Sequence, residues 1–96
     1  MNAVNLIGRL TRDIEVRYTE SGTAVASFAI AIDRPPRQDG NNETDFPRVI
    51  VFGKTAENCG KFLSKGLLVG VEGRIQTGSY TNKEGQTIYT TYVVAN

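Results

Sequence analysis

Apolar side chains recur at every second position through most of this chain, in short stretches separated by clusters of Gly, Asn, Asp and Ser. That period puts neighbours on opposite faces of a pleated strand, and the stretches favour the β-branched and aromatic residues that fit one. The pattern predicts a mainly β chain. A first strand runs from Val4 to Leu10, and beyond Thr11-Arg12-Asp13 the alternation Ile14-Glu15-Val16-Arg17-Tyr18 continues it as a half-solvated ribbon. Glu20-Ser21-Gly22-Thr23 turns the chain into a second strand, Ala24 to Ile32, whose core face is Ala26, Phe28, Ile30 and Ile32. Asp33 to Thr44 holds Pro35-Pro36 and Asp39-Gly40, and it reads as a long exposed hairpin loop because proline lacks the N–H a ladder needs. A third strand, Asp45 to Gly53, puts Phe46, Arg48, Ile50 and Phe52 on one side and Val49 and Val51 on the other.

The pattern then changes period. Ala56, Cys59, Phe62 and Leu63 fall at near-helical spacing, with Thr55 to cap the start and Gly66 to end a short helix that Gly60 weakens. A fourth strand, Leu67 to Thr77, sets Val69, Val71, Gly73 and Ile75 against Glu72, Arg74 and Gln76. The polar connection Gly78 to Thr87 contains the turn sequence Asn82-Lys83-Glu84-Gly85, and a last strand runs from Ile88 to Ala95. Five strands with one short helix between strands three and four is the element order of an OB-fold barrel, whose outer face and loops bind oligonucleotides or oligosaccharides. Another small barrel or an open β-meander is the alternative architecture.

Composition narrows the chemistry. At 96 residues, 40% apolar and 22% charged, the chain is one small globular domain over its whole length. It has no His, which excludes a Ser/His/Asp or Cys/His nucleophile system, and its one Cys excludes an internal disulfide or a Cys-rich zinc site. No enzyme activity, metal or cofactor is expected. Asp33, Asp39, Glu43 and Asp45 lack ligand spacing, and Cys59 reads as a packing residue. No apolar run approaches the roughly 18 residues that cross a bilayer, and Met1-Asn2-Ala3-Val4 opens neither a signal nor a transit segment, so an intracellular, reduced setting is expected. With 11 Lys or Arg against 10 Asp or Glu, any basic surface has to be assembled by the fold.

One constellation could do so. Phe46, Arg48 and Phe52 share a strand face, and burying all three would leave a guanidinium without an evident partner. Exposed rings between cations suit single-stranded nucleic acid, with bases stacking on the rings and cations following phosphates. The pattern fits equally well a pair of core rings with Arg48 paired to a surface acid. Arg34 and Arg37 flank the double proline, Lys54 ends the third strand, Arg74 points outward from the fourth, and Lys83 lies in the second polar connection. Tyr80 could extend the platform or cover an edge.

The runs Asn2-Ala3-Val4-Asn5-Leu6-Ile7-Gly8-Arg9-Leu10, Glu15-Val16-Arg17-Tyr18, Asp45-Phe46, Val51-Phe52-Gly53-Lys54-Thr55-Ala56-Glu57, Phe62-Leu63-Ser64-Lys65-Gly66, Val71-Glu72-Gly73-Arg74-Ile75-Gln76-Thr77 and Tyr89-Thr90-Thr91-Tyr92-Val93-Val94 stand in order across nearly the whole chain. Together they closely resemble bacterial and phage single-stranded-DNA-binding proteins. The resemblance implies an OB-fold that coats single-stranded DNA in replication, recombination and repair, a homotetramer without catalysis or cofactor, in the cytoplasm with the nucleoid. It implies base stacking at Phe46, Phe52 and Tyr80 and phosphate contacts at Arg48, Lys54 and Lys65. With Arg34, Arg37, Arg74, Gln76 and Lys83 these complete the expected DNA-binding set. The chain departs from the pattern of the family it resembles at Pro36, where that family commonly carries another aromatic, at Gln76 and Gly78, where it is often basic, and at Pro47, near the expected subunit contact. The resemblance also implies a flexible tail with an acidic tip that recruits genome-maintenance proteins; the 96 residues contain no such segment, and those partners are expected only with a tail.

Overall fold

Eight elements follow from the alternation, in a computed structural model that describes residues 1–40 and 42–96. They are β1 (Val4–Leu10), β2 (Val16–Tyr18), β3 (Ala24–Asp33), β4 (Thr44–Asp45), β5 (Arg48–Phe52), α1 (Gly53–Phe62), β6 (Leu68–Thr81) and β7 (Thr87–Ala95). Pairing runs β1–β6–β7–β5–β3, and β1 also pairs β3 through Arg9↔Ala31 and Leu10↔Ile30, so five strands close into a ring. All contacts in the ring are antiparallel except β5–β7, which is parallel. A five-strand ring with one helix between β5 and β6 is the expected OB-fold.

The inward positions of each strand make the core. Leu10, Ala24, Ala26, Phe28, Ile30, Val49, Val51, Val71 and Val93 cluster there with Ala56 of α1. Fully burying one such Val, Leu, Ile or Phe is worth about 1.5–3 kcal/mol. Ala24 and Ala26 keep β3 slim where α1 packs on it, with Cys59 and Leu63 half-buried against the cluster. Burial pushes the Cys59 thiol above its usual range, which disfavours the reactive thiolate.

Two glycines allow the ring to close. A Cβ on Gly8 would stand 2.6 Å from the Ala31 carbonyl oxygen, where β1 meets β3, and a Cβ on Gly73 would collide with the Val94 carbonyl, where β6 meets β7. No side chain fits between backbones that approach so closely.

The structure corrects several boundaries. α1 starts at Gly53 directly after extended Phe52 and has no side-chain cap; Thr55 lies inside it. It stops at Leu63, whose N–H donates to the Cys59 carbonyl, and Gly66 instead shapes the turn from Ser64 to Leu67. Phe62 is exposed, because the helix rests on β3 through Ala56 and Cys59 and turns that ring outward. The third expected strand is two, β4 and β5, broken at Phe46-Pro47 because Pro47 cannot donate to a ladder. β6 runs on to Thr81, so the polar stretch from Gly78 is strand and only a tight turn remains. There the Asn82 side chain accepts from the N–H groups of Glu84 and Gln86, and Gly85 takes a positive φ. Since β5 meets β7 only at Val49↔Val93 and Ile50↔Val94, the rest of the β6–β7 hairpin projects beyond the ring; Ile75, level with Val93, is exposed because the β1 pairing of β6 ends at Val4↔Gly73 and leaves that flank open.

Candidate nucleic-acid interface

The register places five of the candidates, Arg48, Phe52, Arg74, Gln76 and Tyr80, on one outer surface. In β5, Val49 and Val51 point into the core, so Arg48, Ile50 and Phe52 point out. Ile50 is partnered by Val94 of β7, which is partnered by Arg74 of β6; stepping by two along these strands adds Tyr92, Gln76 and Tyr80 to the same side. On the other flank Arg48, Ile50 and Phe52 stand opposite Ala29, Ser27 and Val25 of β3, and Val25 in turn faces Arg17 of β2. Val94 is buried yet stands outside the core cluster, as an apolar seam under this outer surface. Phe46, Phe52 and Tyr80 are 62%, 50% and 57% exposed, which removes the reading of the two Phe rings as core.

The cations divide into two groups. Arg34 Nε donates to both carboxylate oxygens of Asp45 (3.0 and 3.1 Å), its Nη2 donates to Oδ1 (2.7 Å), and its Nη1 pairs with Glu43. Arg37 also reaches Glu43, at 3.1 Å. The hydrogen bond from Arg34 holds the Asp45 carboxyl below the ordinary aspartate range, and the same pair raises the guanidinium. These two expected DNA-binding residues are therefore already engaged by carboxylates. Among the described residues, Arg48, Lys54, Arg74, Lys83 and Lys65 have no ion pair.

Individual positions sharpen further. Arg48 shares a cavity of about 160 Å³ with Arg12, Thr11, Ser27, Phe28 and Ala29. Lys54 is exposed in the first turn of α1, next to Phe52. Gln76 donates from Nε2 to the Tyr92 hydroxyl at 3.1 Å. Lys83 tops the hairpin turn. Lys65 belongs to the end of the molecule opposite Tyr80: its N–H donates to Asp13, the residue after Arg12, and β6 carries the chain about 40 Å from there to Tyr80 at a strand's rise per residue. Three residues beside this surface were not among the sequence candidates: Arg12, which lines the cavity with Arg48, Tyr92, on the same face of β7 as Val94, and Arg17, which is paired with Glu15 at 3.5 Å. Tyr92 carried a signal in the alternation of β7, which places it with Val94; Arg12 sits in a turn, and only the fold brings it to Arg48. Tyr89, 82% exposed, lies on the opposite hairpin face. No helix is long and apolar enough to cross a membrane, and no group of three His, Cys, Asp or Glu could hold a metal ion among the described residues.

The fold and this surface define an OB-fold module with an exposed aromatic and cationic face. Comparison with known proteins gives its family: the signature of the Single-strand binding protein family matches residues 1–96. The chain is 55% identical over 97 residues to Single-stranded DNA-binding protein 1 of Staphylococcus aureus, an alignment covering all of this chain and 62% of that protein. It is 52% identical over 96 residues to the Single-stranded DNA-binding protein of Halalkalibacterium halodurans (99% and 57% covered), and 53% over 97 residues to that of Clostridium tetani (100% and 67%). The chain belongs to the single-strand binding protein family. It spans about three fifths of the length of these relatives.

Proposed function

We propose that this chain binds single-stranded DNA with little regard to sequence, stacking bases on Phe46, Phe52 and Tyr80 and meeting phosphates with Arg48, Lys54, Arg74, Lys83 and, through the shared cavity, Arg12. The observation that carries the reading is the register linking Phe52, Arg48, Arg74, Gln76 and Tyr80 into one outer surface across β5, β7 and β6. Every base has a π-face, so rings between unpaired cations hold a strand without hydrogen-bond readout, at about 1–3 kcal/mol per stacked base. Relatives named for single-stranded DNA binding, about half identical over the whole chain, support it. Coating of exposed strands in replication, recombination and repair, in the cytoplasm at the nucleoid and without catalysis, is the role this binding serves.

Self-association into a homotetramer is part of the proposal. Ile7 of β1 and Leu68 of β6 stand exposed on the outer face of the ring, apolar surface that a second copy would cover. The test is titration with oligo(dT), followed by tyrosine fluorescence and light scattering. Saturable quenching at low salt and a mass of four chains are expected; no saturable binding at low salt would overturn the binding, and a monomer mass at micromolar concentration would overturn the tetramer.

A further inference from the structure

We propose that Arg34 is a positioning residue for the Phe46 platform and makes no phosphate contact: its guanidinium locks the returning limb of the β3–β4 hairpin and so fixes the backbone that presents the Phe46 ring. The inference rests on the reading that Phe46 stacks a base.

β4 is only two residues long, pairing Asp33↔Thr44 and Ile32↔Asp45, too short a ladder to hold the limb by itself. Phe46 follows outside any strand, and Pro47 behind it offers no N–H; its carbonyl accepts a single bond from the N–H of Ile30, at 3.3 Å. What holds the limb is a set of polar ties from the end of β3. The Arg34 N–H donates to the Glu43 carbonyl (2.8 Å), Thr44 Oγ1 donates to Asp33 Oδ1 (3.0 Å), and the Arg34 side chain grips both oxygens of Asp45, the residue before Phe46, while also reaching Glu43. A planar guanidinium meeting both oxygens of one carboxylate fixes orientation as well as distance, which a lysine ammonium cannot do.

The charges agree with this role. Arg34 and Arg37 face Glu43 and Asp45, two cations against two carboxylates, so the cluster has no excess positive charge to draw a phosphate. A backbone phosphate would have to displace two carboxylates already in place. The neighbouring ring has no polar partner to lose and is open to solvent. Arg34, a cation in a polar loop sequence, thus serves the stacking half of the surface, with Arg37 sharing its Glu43 partner.

The test is a double-mutant cycle on the full chain, read by oligo(dT) affinity across a salt series. Phe46→Ala in the unmodified chain is expected to weaken binding by roughly 5- to 150-fold, the stacking worth of one base at about 1.4 kcal/mol per tenfold. Arg34→Ala is expected to weaken binding while leaving the slope of log affinity against log salt unchanged, and adding Phe46→Ala to it is expected to cost under about threefold more. Arg34→Lys, which keeps the charge and loses the fork, is expected to behave like Arg34→Ala and provides the second background if the alanine variant fails to fold. A slope made shallower by about 0.7 in Arg34→Ala identifies a phosphate contact and overturns the proposal. Equal Phe46→Ala costs in both backgrounds also overturn it while leaving stacking intact, whereas no Phe46→Ala effect in the unmodified chain overturns the stacking reading and the proposal with it.

Discussion

Ile50 of β5 and Val94 of β7 are register partners in the ring's parallel contact, which spans two residue pairs, and through them the projecting hairpin is joined to the strand that carries Arg48 and Phe52. Val94 is buried beneath the outer surface, while its neighbour Val93 enters the core. The joint is small. Val94→Ala is expected to destabilise the fold by about 1–3 kcal/mol, seen as a lower Tm, and to weaken oligo(dT) binding because Tyr80 and Gln76 lose their fixed relation to Phe52.

Close approach at Gly73 gives a stability prediction with its own control. Gly73→Ala would force a methyl against the Val94 carbonyl and is expected to cost about 1–3 kcal/mol or more. Gly70→Ala, three residues earlier in the same strand with open space around its Cβ position within the chain, is expected to be near neutral or stabilising for the fold of the single chain, its effect on assembly being separate because Gly70 pairs with Ile7. Chemical denaturation of the two variants side by side checks it.

Salt dependence separates the two halves of the interface. Arg48→Gln is expected to make the slope of log affinity against log salt shallower by about 0.7, the release from one phosphate of a single strand. Phe52→Ala is expected to lower affinity by about 1–3 kcal/mol at every salt concentration and to leave the slope alone. Parallel fluorescence titrations at several salt concentrations measure both.

The Asp45–Arg34 pair predicts a direction with pH. Because the hydrogen bond from Arg34 holds the folded Asp45 carboxyl below the ordinary aspartate range, the unfolded chain binds the proton more readily there. The pair's contribution is therefore fully present above about pH 5 and is lost as pH falls through the lowered folded value. An NMR titration of the Asp45 carboxyl carbon is expected to give a midpoint below the ordinary aspartate range, and Arg34→Ala is expected to return it upward.

How much was legible depends on the range of the interaction concerned. Alternation alone identified Val49 and Val51 as inward and Arg48 and Phe52 as outward, because a strand's two faces are a local property of the backbone. It also located the helix through Ala56 and Cys59, while misplacing its ends. Those ends were set by the turn of Phe52 into Gly53 and by the Leu63 N–H, backbone geometry that residue types mark only weakly.

The partners of each cation were not legible. Arg34 and Arg37 sit beside prolines in a polar stretch that reads as free loop, yet a hairpin brings Glu43 and Asp45 back across 9 and 11 residues to neutralise them. Arg12 and Arg48 are 36 residues apart in sequence and line one cavity, because the Thr11 N–H donates to the Ala29 carbonyl at one edge of β3 while Arg48 pairs with Ala29 at the other. What the sequence by itself determined was which side of each strand is wet, the order of elements, and the residue types able to stack and to carry charge. Only the tertiary structure decided which strands share a surface, how far the β6–β7 hairpin extends, and which of 11 cations remain unpaired on that surface. The physical reason is the same in each case: side-chain direction is set within one or two residues, whereas charge pairing and strand adjacency are set by contacts between segments far apart in the chain.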